Sequence, residues 1–120
     1  MKNIAFFEKK NIEGTPSGFE TLRKLLDDNY FCFRVGEADV IPDLIVVVGG
    51  DGTILRTASY AVRTGAPILA INAGTVGFLS SYESGDVEKC VEDIKNDDLT
   101  ISERSVLSVK AGKNEYIALN

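Results

Sequence analysis

Leu44-Ile45-Val46-Val47-Val48 runs straight into Gly49-Gly50-Asp51-Gly52-Thr53. Five aliphatic side chains without polar alternation predict a strand covered on both faces, as in the middle of a parallel sheet. Beyond the glycines, Ile54, Leu55, Ala58, Ala61 and Val62 recur at helical spacing and Gly65 closes the run, which predicts an amphipathic helix ending there. A buried strand, a glycine turn and a helix N-terminus thus follow one another without a spacer.

The flanking sequence repeats this alternation. Asn3–Phe7 is a short apolar run that reads as a first buried strand, and Lys9–Pro16 is a polar loop. Ser17 with Glu20 forms a capping box that opens a helix to about Asp28, with Phe19, Leu22, Leu25 and Leu26 on one face. Tyr30–Val35 is a second strand and Gly36–Pro42 a connection. Pro67–Asn72 is the strand after the central helix, and Ala73–Ser81 a glycine-containing loop. Val87, Cys90, Val91 and Ile94 then mark an amphipathic helix with a solvated acidic face.

The pattern changes after Asn96. Leu99–Val109 alternates, Ala111–Asn114 can turn, and Glu115–Leu119 is another short strand, so the end of the chain reads as an antiparallel hairpin. The expected fold class is α/β: a doubly wound, mostly parallel sheet with helices on both faces over residues 1–98. Residues 99–120 would be the first antiparallel strands of a missing β-rich second domain. In doubly wound sheets, ligands bind beyond the carboxyl ends of the strands.

Composition narrows the chemistry. The net charge is −5, and Glu83–Asp98, with seven carboxylates against two lysines, accounts for all of it. That argues against nucleic acid or an anionic membrane as partner, because both are held by clustered Lys and Arg. Without histidine, Ser-His-Asp and Cys-His pairs and His-ligated metals are excluded. Cys32 and Cys90 are too few for a zinc cluster and read as buried thiols in a reducing compartment. The longest aliphatic run is far short of the ~20 residues that span a bilayer, and Ile4–Phe7 is too short for a signal core. A cytoplasmic location is expected.

At the end of a central strand, Gly49 and Gly50 let the backbone turn and approach a bound group, while the following helix N-terminus favours phosphate. Gly49, Gly50, Gly52 and Thr53 are therefore candidate phosphate-binding residues. Asp51 does not help anion binding by itself. It fits a general base on an attacking hydroxyl, or a partner of Mg²⁺ carried by the phosphates; the alternative is a turn in which Asp51 only caps the helix. The spacing and lysine of a Walker A loop are absent. A second glycine loop, Asn72-Ala73-Gly74-Thr75-Val76-Gly77-Phe78-Leu79-Ser80, follows the next strand and so should open on the same sheet edge. Its plainer reading is a connection with Phe78 as a core plug.

Gly49-Gly50-Asp51-Gly52-Thr53 continuing into Ile54-Leu55-Arg56 resembles the signature of the NAD kinases. N-x-G-x-x-G-F-L from Asn72 to Leu79 resembles their second motif, and Glu103-Arg104 and Ala118-Leu119-Asn120 resemble two later stretches. The first motif alone is shared with diacylglycerol kinases, sphingosine kinases and phosphofructokinases. The resemblance implies phosphorylation of the 2′-hydroxyl of the adenosine ribose of NAD, with ATP or polyphosphate as donor and Mg²⁺, to give NADP. It implies Asp51 as general base, Gly52 lining the dinucleotide, Arg56 as a basic position on the next helix, Phe78 as a pocket wall and Asn120 as the first of an Asn-acidic pair holding substrate. It further implies a homo-oligomer in the full-length enzyme. The chain ends before the acidic partner and the β-rich domain, so an N-terminal fragment, inactive alone, is expected. A lipid kinase of the diacylglycerol-kinase type and a non-catalytic nucleotide-binding or oligomerisation module are the competing readings.

Overall fold

The computed structural model describes residues 2–8, 18–26, 28–72, 82–83, 86–96, 106–111 and 114–119. Strands β1 (Lys2–Glu8), β2 (Tyr30–Arg34), β3 (Leu44–Gly49), β4 (Ile68–Asn72) and β5 (Tyr82–Glu83) form one sheet in the order β2-β1-β3-β4-β5, and every pair is parallel. The helices are α1 (Gly18–Leu25), α2 (Asp51–Thr64) and α3 (Val87–Lys95).

Strand order dictates where the helices lie. The β1-to-β2 crossover moves one way across the sheet and the β3-to-β4 crossover the other way. If both are right-handed, their helices must cover opposite faces. They do. Ile4, Phe6, Leu44, Val46, Leu69 and Ile71 point to one face, against Phe19, Leu22 and Leu26 from α1 and its end and Cys90, Val91 and Ile94 from α3. The alternate residues Ala5, Ile45, Val47 and Ala70 meet Ile54 of α2, with Phe33 and Ala66, on the other face. Leu44, Ile45, Val46 and Val47 are at most 4% exposed, so the unbroken apolar run reflects burial on both sides.

β6 (Val106–Ala111) and β7 (Asn114–Leu119) pair antiparallel, Val106 opposite Leu119, in a sheet of their own, and β7 lies beside α2. The doubly wound parallel sheet and the terminal hairpin are therefore both as expected.

Several boundaries and exposures differ from the sequence reading. α1 ends at Leu25 rather than near Asp28. Leu26, 2% exposed, turns into the core, and the chain must come round by Asn29, whose carbonyl accepts the Lys2 N–H at 3.3 Å, to start β2. Leu25 itself is exposed, since the core side of this segment runs through Phe19, Leu22 and Leu26. Leu55 and Val62 are exposed because the inner side of α2 runs through Thr53, Ile54, Thr57 and Ala58. β5 was not expected, since two residues leave no periodicity to read, and it precedes a helix that starts only at Val87. Asp93, expected on the solvated face of α3, is 8% exposed. Of the two thiols, Cys90 is buried but Cys32 only half-buried. Ser17 of the capping box lies outside the described residues.

Candidate active site

In the strand order β2-β1-β3-β4-β5, connections diverge between β1 and β3, and the crevice beyond the carboxyl ends there is where doubly wound folds bind ligands. Gly49 closes β3 at this point, Gly50 is the N-cap of α2, and Asp51 is its first residue. Gly50 is extended, with φ −95° and ψ −173°, and its carbonyl accepts the N–H groups of Thr53 (3.1 Å) and Ile54 (3.2 Å), so the helix begins immediately after the strand. Gly50 supplies no side-chain cap to this terminus. The N-cap is a glycine and Asp51 stands one position inside the helix, which removes the reading of Asp51 as the N-cap residue.

The three glycines are used differently. A Cβ on Gly49 would fall 2.6 Å from Thr53 Oγ1 and 2.7 Å from Thr53 Cβ, so Thr53 packs directly over the strand end. Thr53 is in turn buried, and the Thr57 hydroxyl donates to its carbonyl at 2.9 Å. At Gly50 and Gly52 a Cβ would meet nothing within 4 Å, so the turn is open on that side. Asp51 is half-buried and Arg56 is exposed on the second turn of α2. The positive end of the α2 dipole falls at this opening.

The second glycine motif starts beside the first. Gly49 pairs with Asn72, and Asn72 with Glu83, so β3, β4 and β5 end together at one edge. Phe78, with the rest of residues 73–81, and Asn120 lie outside the described residues. The β7 strand leading to Asn120 runs beside α2. Among the described residues no three His, Cys, Asp or Glu side chains are grouped to hold a metal ion. An open pocket of about 210 Å³ between Ala38–Ile41 and Tyr60, Arg63 and Thr64 lies at the other end of α2. That is roughly 15–20 Å along the helix from Asp51 at 1.5 Å per residue.

One polar cluster is marked in the sequence only by the i, i+4 spacing of Lys89 and Asp93. The Tyr82 hydroxyl donates to Asp93 Oδ2 at 2.6 Å, and Lys89 Nζ approaches Asp93 Oδ1 at 2.9 Å. The Tyr82 hydrogen bond, and after it the one from Lys89, holds the Asp93 carboxyl below the usual carboxylate range, while burial opposes them. On the inner side of the same helix, burial first and the Asp93 charge second push the Cys90 thiol up to about 12, which keeps it an inert core group.

A doubly wound parallel sheet with a glycine turn at its switch point defines a class of α/β domain that takes ligands beyond its strand ends. Residues 16–99 match the ATP-NAD kinase N-terminal domain family. The chain therefore belongs to the NAD kinase family. It is 38% identical to the NAD kinase of Petrotoga mobilis over 67% of this chain and 29% of that protein. With the NAD kinase of Thermotoga maritima it shares 33% identity over 98% of this chain and 45% of that protein. The crystal structure of an NAD kinase from Archaeoglobus fulgidus in complex with ATP shares the fold: TM-score 0.62 at 24% identity, over 88% of this chain and 40% of that one. The chain thus spans less than half the length of these relatives. Membership in this family sets aside the lipid-kinase reading.

Proposed function

We propose that the complete gene product containing this chain transfers the γ-phosphoryl group of ATP to the 2′-hydroxyl of the adenosine ribose of NAD, giving NADP and ADP. The observation that carries this reading is the pairing of Gly49, at the head of Gly49-Gly50-Asp51-Gly52, with Asn72, the first residue of the second motif, at one sheet edge. Family membership and the ATP named with the Archaeoglobus relative support it. Gly49, Gly50, Gly52 and Thr53 form the phosphate-facing turn, Gly52 and Arg56 flank the dinucleotide, and Phe78 and Asn120 complete the pocket. Asp51 is the catalytic base. As the 2′-oxygen attacks phosphorus, its proton passes to the Asp51 carboxylate, and the bond to the β-phosphate oxygen breaks to release ADP.

Mg²⁺ arriving with the ATP phosphates would supply charge neutralisation during the transfer. Polyphosphate as an alternative donor, homo-oligomeric assembly and a cytoplasmic location belong to the same proposal and rest on the family resemblance. No described helix is long and apolar enough to cross a membrane. Residues 1–98 form the nucleotide-binding domain in this reading, and the strands from residue 99 belong to a β-rich second unit, supported by the separate β6–β7 sheet.

Asp51→Asn tests the mechanism. It keeps the size of the side chain and removes the base, so turnover of NAD to NADP should fall about 10²–10⁴-fold, the usual worth of general-base assistance. NAD affinity should change little. The lost charge at the helix N-terminus costs only ~0.3–1 kcal/mol of stability, which thermal melting will show. Near-native turnover in a folded Asp51→Asn enzyme would remove Asp51 from the chemistry. A complete product that binds ATP and NAD but makes no NADP would favour the non-catalytic module.

A further inference from the structure

We infer that Tyr82 is a positioning residue for the nucleotide site, acting through Asp93. The inference rests on the reading proposed above. β5 is only two residues long, shorter than strands that hold by ladder bonds alone. Yet it fixes where the chain re-enters the sheet after the second glycine motif, directly beside Asn72, which itself adjoins Gly49. A shift of Tyr82 along the sheet edge would be felt at the mouth of the crevice.

What holds Tyr82 is an acceptor with little freedom. Asp93 is 8% exposed on a helix whose neighbouring Glu92 and Lys95 face solvent. One of its oxygens takes the Tyr82 hydroxyl at 2.6 Å and the other meets Lys89 Nζ at 2.9 Å. α3 is seated by Cys90, Val91 and Ile94 in the same core as Ile71, the residue paired with Tyr82. The phenol oxygen therefore ties the short strand to a rigid element at a defined distance. A tyrosine serving only to fill space would need its ring but not its hydroxyl.

The test is a double-mutant cycle on nucleotide affinity in the complete gene product, with a melting temperature for each variant. Titration calorimetry with ATP, and separately with NAD, should show Tyr82→Phe weakening binding about tenfold, the order carried by one hydrogen bond to a charged group. Asp93→Ala should weaken it equally, and the double variant no further. Asp93→Asn keeps an acceptor without the charge and should lose only about threefold, since charge-assisted bonds are roughly twice as strong as neutral ones. The inference is overturned if Tyr82→Phe binds like wild type, if the two losses multiply, or if affinity simply follows melting temperature across the set. Should the wild type bind neither ATP nor NAD, the functional reading fails. Hydrogen exchange at the Tyr82 and Glu83 amides still decides the tether: Tyr82→Phe should speed it, and unchanged exchange overturns the inference.

Discussion

At Gly49 the space for a side chain is already taken, since a Cβ there would lie 2.6 Å from Thr53 Oγ1 and 2.7 Å from Thr53 Cβ. Thr53 sits in the first turn of α2 and is 6% exposed, so it has little room to retreat. Gly49→Ala must therefore push the helix start away from the strand end, an overpacking that typically costs about 1–3 kcal/mol. Each kcal/mol lowers the melting temperature of a domain this size by about 4–8 °C, which a thermal melt will register. Gly52 predicts the opposite pairing of effects. Its Cβ would meet nothing within 4 Å, and alanine is the better helix residue by ~1 kcal/mol. Gly52→Ala should melt at the wild-type temperature or above, yet bind NAD more weakly, because its methyl enters space the dinucleotide is proposed to fill. Unchanged NAD affinity by calorimetry would take Gly52 out of the site.

Among the elements, β3 was legible because burial on both faces leaves an unbroken apolar run, and α2 because Gly65, at φ 73°, stops it with its N–H on the Ala61 carbonyl at 2.8 Å. The strand–turn–helix junction at Gly49–Thr53 was legible for the same local reason, since the strand end, the glycines and the helix start all lie within five residues. The inner face of α3 was not. Asp93 looked solvated by composition, and its burial depends on Tyr82 from a strand too short to announce itself. A pH dependence follows. The Tyr82 and Lys89 hydrogen bonds lower the folded pKa of Asp93, so the unfolded chain binds its proton more readily. The stability is present above the ordinary carboxylate value near 4 and is lost as pH falls through the lowered folded value. Melting temperature should drop on acidification below about pH 4, and Asp93→Asn should flatten that limb. Cys90 acts at the other end: its thiol is raised from 9.0 to about 12, so its contribution is complete below the ordinary thiol value and is lost as pH rises through that interval. An acid limb equally steep in Asp93→Asn would assign it to other carboxylates.

Across the whole molecule, the two hydrophobic cores of the described residues draw on side chains between Ile4 and Ile94. β6 and β7 share no strand pairing with the main sheet and reach the rest of the fold beside α2. An isolated two-stranded hairpin is marginal in water, so its stability has to come from the docked surface or from a partner sheet. The two layers should therefore differ in local stability even within one chain. In native-state hydrogen exchange, amides of β1 and β3 should open only with global unfolding, whereas those of β6 and β7 should exchange through a local opening of much lower free energy. Removing residues 99–120 should then leave a chain that still melts cooperatively, within a few degrees of the longer one, as followed by circular dichroism. The hairpin's contribution would be read directly as that difference. A truncated chain with no cooperative transition, or hairpin amides protected as strongly as those of β3, would show instead that the terminal strands and α2 complete a single core, and would overturn the division of the chain near residue 98.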